Sequence, residues 1–255
     1  MTSITVENLR HEFYSRRGEQ TEAIRNITFM VEPGELVSIV GPSGCGKTTL
    51  LKLLGGLLTP QVGNIVLDGM TPHEARSDGK IGFMFQEDVL LPWRNVEQNI
   101  ALPLELANAR NYERRIKDLI GLVRLQGFEK NYPRELSGGM RSRVALGRAI
   151  ARSPKLLMLD EPFGALDEET SRDLHIELLE VWRNETPTVL LVTHNIEHAV
   201  FVAKRVLILS KRPGTIIEDI EVDLPEPREN ATRYSECFFQ YVTRVRKALE
   251  KAHDT

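Results

Sequence analysis

Gly41-Pro42-Ser43-Gly44-Cys45-Gly46-Lys47-Thr48 has the residue types and spacing of a P-loop. Glycines let successive backbone N–H groups converge on one point, and a helix starting at the loop's end adds its partial positive charge there. Lys47 supplies a mobile ammonium for the β and γ phosphates, and Thr48 a hydroxyl for Mg²⁺. The implied ligand is a nucleoside triphosphate. The pattern alone does not distinguish a kinase, a GTPase and an ATPase.

A second cluster is acidic. Leu156-Leu157-Met158-Leu159-Asp160-Glu161-Pro162 reads as an apolar strand ending in two carboxylates. Ligands of parallel sheets bind at this carboxyl edge. Asp160 suits Mg²⁺, generally through water, and Glu161 is free to polarise an attacking water. A solvated pair at a strand end would be the plainer reading, but the P-loop in the same sheet favours magnesium and hydrolysis.

A third site opens at Leu136-Ser137-Gly138-Gly139-Met140. The apolar positions Met140, Val144, Ala145, Ala149 and Ile150 then recur at helical spacing, which makes Ser137 an N-cap. Serine caps are common. Two following glycines nonetheless make this a second anion-binding helix start, one more than a single nucleotide site needs.

The elements that position these groups follow from the apolar pattern. Strands are expected at Ile4 to Leu9, Ile24 to Val31, Leu36 to Val40, Ile81 to Phe85, Leu156 to Leu159 and Val189 to Val192. A helix is expected at Thr48 to Leu58, giving strand, loop and helix in direct succession. Strand signals stop between Glu87 and Arg152, where helices at Tyr112 to Leu125 and Gly138 to Arg152 take over. The fold class is α/β: a P-loop NTPase core with a mainly parallel central sheet, an antiparallel β flank and an inserted α-helical lobe. The domain reading is 1–225, with the lobe at about 87–152, followed by a C-terminal helical tail at 226–255 after Pro225 and Pro227. Within that tail a helix is expected from Ala231 to Ala252.

Composition narrows the classes. At 255 residues, 41% hydrophobic and 27% charged, the chain can bury a substantial core and fold in water. A net charge of −3 offers no general footprint for a phosphate backbone, so nucleic acid is not an expected partner. Arg141, Arg143, Arg148 and Arg152 alternate with core positions and read as the solvated or interfacial side of one helix. Cys45 and Cys237 lack metal-ligand spacing, and Cys45 reads as structural. No apolar run is long enough to cross a bilayer and the start lacks a secretion signal, so any membrane role is expected to come through partners.

His194-Asn195-Ile196-Glu197-His198 also spells a two-histidine zinc pattern. Asn195 is a natural N-cap, however, which puts His194 before the helix and off the face of His198. His198 is then expected to be an ordinary helix-surface residue.

The P-loop, Gln86, Leu136 to Met140, Asp160-Glu161, Phe163-Gly164-Ala165-Leu166-Asp167 and His194 resemble, in order and spacing, the ATPase subunits of ABC transporters. The resemblance covers nearly the whole chain. It implies a head-to-tail dimer with two ATP molecules at its interface, each held by one P-loop and touched by the partner's Ser137-Gly138-Gly139. It also implies Phe13 or Tyr14 on adenine, Phe13 fitting the register better, and Gln86 sensing the γ phosphate and Mg²⁺. Asp167 is assigned to cross-subunit contact and His194 to the γ phosphate and attacking water.

The implied nucleotide site is Phe13, Gly41, Pro42, Ser43, Gly44, Cys45, Gly46, Lys47, Thr48, Thr49, Gln86, Ser137, Gly138, Gly139 and Asp167. Glu161, His194 and Lys47 are the catalytic set, and Thr48, Gln86 and Asp160 the metal set. Met140 replaces the family's usual glutamine, and activity is expected to survive because the serine and glycines are intact.

Phe85 to Val96 and Asn99 to Leu104 resemble importer ATPases for nitrate, sulfonates and taurine. Within that stretch Leu90-Leu91-Pro92-Trp93 reads either as an apolar docking edge or as lobe core. The expected setting is the cytoplasmic face of a membrane, bound peripherally to transmembrane permease subunits, with an external substrate-binding protein acting indirectly. Other readings are a soluble ABC ATPase in DNA repair or translation, and an exporter ATPase.

Overall fold

The computed structural model describes residues 1–14, 18–164 and 166–254. The antiparallel flank has the strand order β2-β1-β4, formed by β1 (Ile4–Tyr14), β2 (Gln20–Val31) and β4 (Val62–Leu67). The central sheet comprises β3 (Leu36–Val40), β5 (Ile81–Met84), β6 (Leu156–Asp160), β7 (Thr188–Val192), β8 (Arg205–Leu209) and β9 (Ile216–Glu221). Its order is β5-β6-β7-β3-β8-β9, parallel throughout except for β9.

Every residue of β3, β6 and β7 is buried, as strands covered on both faces must be. Period-two alternation divides their side chains between two cores. Val37, Ile39, Met158, Leu190 and Val192 pack with the antiparallel flank and α1 (Lys47–Leu54). Leu36, Val40, Leu157, Leu159, Val189 and Leu191 pack with the helical side. The central sheet is thus the middle layer of three.

The helical side holds α3 (Val96–Leu106), α4 (Glu113–Leu122), α5 (Gly138–Ile150), α6 (Glu168–Glu185), α7 (Ile196–Val202) and α8 (Glu236–Asp254), while α2 (Pro72–Ser77) lies near the flank. Helices α3, α4 and α5 fill the span between β5 and β6, as the expected lobe requires. A buried charge fastens that lobe to the core. Glu177 of α6, with no exposure, accepts two hydrogen bonds from Arg143 of α5 at 2.8 and 3.0 Å.

Several boundaries differ from expectation: β1 runs on to Tyr14 and β2 begins at Gln20, and two helices are displaced. Helix α1 stops at Leu54 because Gly55 caps it and Gly56 turns left-handed, with φ 65°. The tail begins with a 3-10 turn at Asn230–Tyr234, and α8 starts only after Ser235, whose hydroxyl accepts from the Phe238 N–H. The tail is not detached: Phe238, Val242, Val245 and Ala248 belong to the helical-side core. Arg228 is buried and donates to Phe201 O and Ala203 O at 2.9 and 2.7 Å, satisfying carbonyls at the end of α7.

Candidate functional site

The sheet order determines the site. Because β5, β6, β7 and β3 lie side by side and parallel, their carboxyl ends form one edge. Along it follow Gln86, Asp160-Glu161, Thr193-His194 and the P-loop. These segments are far apart in sequence, and only strand pairing brings them together.

At the P-loop, Gly46 is the N-cap of α1 in the left-handed region, with φ 108° and no side-chain cap bond. A Cβ there would stand 2.7 Å from Ala23 O and from Ile24 Cγ2, so glycine is required by space as well as by backbone. Gly41 is similarly confined, a Cβ meeting Cys45 Sγ at 2.8 Å. Gly44 has φ 75° and open space around it. The Lys47 ammonium donates to Gly41 O at 2.8 Å and Pro42 O at 3.0 Å, which holds it across its own loop. Ser43 and Gly44 are exposed, while Cys45 is buried and its thiol is pushed up by desolvation, in keeping with a structural role.

The acidic strand end meets this loop directly. The Thr48 hydroxyl donates to Asp160 Oδ1 at 3.1 Å, joining α1 to β6. Asp160 is 3% exposed, and burial, together with the neighbouring Glu161 charge, raises its carboxyl pKa. A buried acid held in this way gains from a cation. Thr48, Asp160 and the exposed carboxamide of Gln86, just beyond the β5 strand that pairs with β6, make an all-oxygen donor set suited to Mg²⁺.

Glu161 has a left-handed backbone, φ 49°, a conformation costing a non-glycine residue about 1 kcal/mol. Its N–H donates to Val192 O at 2.9 Å, and its carbonyl accepts from Gly164 N–H at 3.1 Å, so the turn is fixed from both sides. A 2.8 Å hydrogen bond joins Glu161 Oε2 to His194 Nδ1. A carboxylate and an imidazole are therefore paired at adjacent strand ends, the first largely buried and the second open. This arrangement can orient a water and accept its proton.

The predicted caps form. Ser137 Oγ accepts from Met140 N at 3.3 Å, starting α5, and Asn195 Oδ1 accepts from His198 N at 3.1 Å, starting α7. His194 accordingly lies before α7 and shares no face with His198. Ser137 is exposed, Gly138 half-buried and Gly139 buried, where a Cβ would stand 2.4 Å from Thr170 Cγ2 of α6. Asp167 is exposed and caps α6 through Thr170 N at 2.9 Å, a bond that lowers its carboxyl pKa. Ala165 lies outside the described residues. Phe13 and Tyr14 are both exposed at the end of β1, Phe13 edge-on to His11 and the Tyr14 hydroxyl bonded to Glu12.

One expectation needs correction. His198 is not a surface residue: it is half-buried, with its ring centroid 4.3 Å from that of the fully buried His175. Of the two readings left open for the α5 arginines, Arg143 and Arg148 take the interfacial one. Arg148 donates to Asp88 O and Val89 O at 2.7 and 2.8 Å, and Ser142 donates to Asp88 Oδ1 at 3.2 Å. The segment after Gln86 is thereby tied to the helix that begins at Ser137. Asp88 was not singled out from sequence, and no local signal marks it, since its partners lie in another segment.

Residues 24–164 match the family model described as ABC transporter. Over 240 residues the chain is 42% identical to an aliphatic sulfonates import ATP-binding protein of Bacillus cereus, covering 94% of this chain and 93% of that protein. It is 42% identical over 231 residues to a nitrate import ATP-binding protein of Synechocystis, covering 89% of this chain and 85% of that one. Among solved structures, a dimeric ATP-binding cassette in a post-hydrolysis state bound to ADP and Pi superimposes with a TM-score of 0.77. Its identity is 29%, and the match covers 86% of this chain and 99% of that chain. The chain belongs to the ABC transporter family. Within that family it is an ATP-binding subunit and an ATPase.

Proposed function

We propose that this ATPase energises an importer of a small oxoanion compound, of the sulfonate or nitrate type. The cargo class rests on the similarity to sulfonate and nitrate import proteins. Two copies bind head to tail on transmembrane permease subunits at the cytoplasmic face of the membrane, with an external binding protein delivering cargo. The chain's own charge of −3 gives no support to a nucleic-acid partner. In domain terms, residues 1–225 form the nucleotide-binding unit and 226–255 its tail.

The observation that carries the mechanism is the row of Gln86, Glu161, His194 and Lys47 on one sheet edge, with Ser137 exposed at a separate helix start. Backbone N–H groups of 41–49 and Lys47 bind the phosphates, and Phe13 packs on the base. Thr48, Asp160 and Gln86 would hold Mg²⁺, which supplies charge neutralisation at the transferring phosphoryl group. Glu161 accepts the proton of the attacking water, and His194 fixes that carboxylate and reaches the γ phosphate. Ser137-Gly138-Gly139 and Asp167 of each copy act on the nucleotide of the other. ATP closes the pair and hydrolysis reopens it, so transport draws on the differential affinity of the two states for nucleotide.

An exposed apolar edge supports permease docking. Trp93 is 70% exposed, Leu106 76% and Val89 56%, while Leu90 packs inward against the core. A tagged chain recovered from detergent-solubilised membranes should bring a polytopic permease with it. Recovery of soluble proteins alone would overturn the transport reading in favour of a soluble mechanical ATPase. Uptake assays with labelled alkanesulfonate and nitrate then assign the cargo, and an export signal in inverted vesicles would reverse the direction.

A further inference from the structure

Behind the hydrolytic pair lies a stack of rings that the mechanism does not use. His175 of α6 is fully buried, with its ring centroid 4.5 Å from Phe163, 4.3 Å from His198 and 6.0 Å from Phe201. Phe163 stands two residues after Glu161, in the turn closed by the Gly164 N–H to Glu161 O bond. His198 stands in the first turn of α7, whose cap immediately follows His194. One buried imidazole therefore touches both turns that carry the catalytic pair.

That imidazole is held from the C-terminal segment. Arg233, 8% exposed, lies in the 3-10 turn before α8, and its guanidinium sits 3.5 Å from the Phe201 ring centroid. Arg233 NH2 is 3.2 Å from His175 Nδ1. A guanidinium only donates, so the contact is a hydrogen bond when Nδ1 accepts and the ring proton is on Nε2, a buried nitrogen without a hydrogen-bond partner among the described residues. That bond favours one tautomer against the cost of the unpaired Nε2–H and fixes the ring's orientation. Its energy is reinforced by burial and by the cation's position over an aromatic face.

We propose that Arg233 is a positioning residue for ATP hydrolysis, fixing His175 so that Phe163 and His198 hold the turns bearing Glu161 and His194 in register. The tail is then part of the hydrolytic apparatus rather than an appendage. The proposal rests on the reading of Glu161 as the base. Its physical requirement is modest: a carboxylate that must meet a water within hydrogen-bond reach loses rate steeply when its turn shifts by a fraction of an ångström.

The test is steady-state ATP hydrolysis by the full chain carrying Arg233→Met, Arg233→Lys, His175→Phe, or Arg233→Met with His175→Phe, with thermal melting of each. Arg233→Met should lower kcat about tenfold with KM for ATP within about twofold, since nucleotide binding does not pass through the stack. Lysine retains a donor and a cation, and should restore most of the rate. His175→Phe keeps the ring but removes the acceptor, and the double variant should fall no further than the worse single one.

A purely structural arginine would lower the melting temperature and leave kcat unchanged well below it; that result, or multiplicative losses in the double variant, overturns the proposal. If Arg233→Met does not fold, the same decision falls to Arg233→Lys and His175→Phe. Glu161→Gln separates the two readings. If it abolishes hydrolysis while Arg233→Met is fully active, only the positioning role fails; if it stays active, the base assignment fails first.

Discussion

The starts of α1 and α5 are both glycine-flanked helix N-termini, yet they are built for opposite situations. At α1 the cap is a glycine without a side-chain bond, and the loop's lysine folds back over the loop's own carbonyls. At α5 the cap is a serine whose hydroxyl already serves Met140 N–H, on an exposed corner. The first is a phosphate cradle complete within one chain. The second is satisfied on its own and can add only a contact to an anion brought to it. This difference is what the proposed sharing of each nucleotide between two copies requires of the two helix starts.

The contrast breaks most severely at the first site. Lys47→Ala should remove the ammonium from the phosphates and reduce ATP hydrolysis at least about a hundredfold, with nucleotide affinity reduced in parallel. Equilibrium binding of a fluorescent ATP analogue checks it, and unaltered affinity would detach Lys47 from the phosphates. Glu161→Gln should be nearly as damaging to turnover, about a hundredfold or more, but should preserve binding. It should also accumulate ATP-dependent dimers, visible by size-exclusion chromatography, because closure is no longer relieved.

Ser137→Arg probes the second helix start alone. Binding at the P-loop of the monomer should stay within about twofold, while the ATP-dependent dimer disappears. Unchanged dimerisation would remove the cross-subunit role.

The smallest expected effect comes from the structure behind α5. Its Gly139 packs on α6, which carries His175, and desolvation holds the His175 and His198 imidazoles below their usual range, His198 at about 4. Between that value and the unfolded 6.5 the unfolded chain binds more protons, so stability is full above pH 6.5 and declines as pH falls toward 4. For His198 the loss at pH 5 is about 2 kcal/mol. Melting temperature measured from pH 7.5 to 5 should fall in the wild type and fall less in His198→Gln; parallel curves would contradict the assignment.

What was legible in sequence was what is local. Leu36 to Val40 followed by the glycine loop reads as strand and phosphate site because burial on both faces and backbone freedom leave a mark on adjacent residues. The caps Ser137 and Asn195 are equally local, one side-chain oxygen serving an N–H three residues on. Strands β8 and β9 passed unread, since a short apolar run such as Val206 to Leu209 fits more than one element until a neighbouring strand pairs with it. The family resemblance ordered the distant motifs but carried no information on what lies behind them.

The sequence by itself determined the phosphate loop, the acidic strand end and the α/β class, because each follows from hydrogen-bonding and burial within a single segment. Only the tertiary structure decided that Glu161 meets His194, that Arg148 holds the segment after Gln86, and that Arg233 reaches His175. Those contacts join residues 33, 60 and 58 positions apart. Their partners are set by strand order and by the return of the tail, which no short-range pattern encodes.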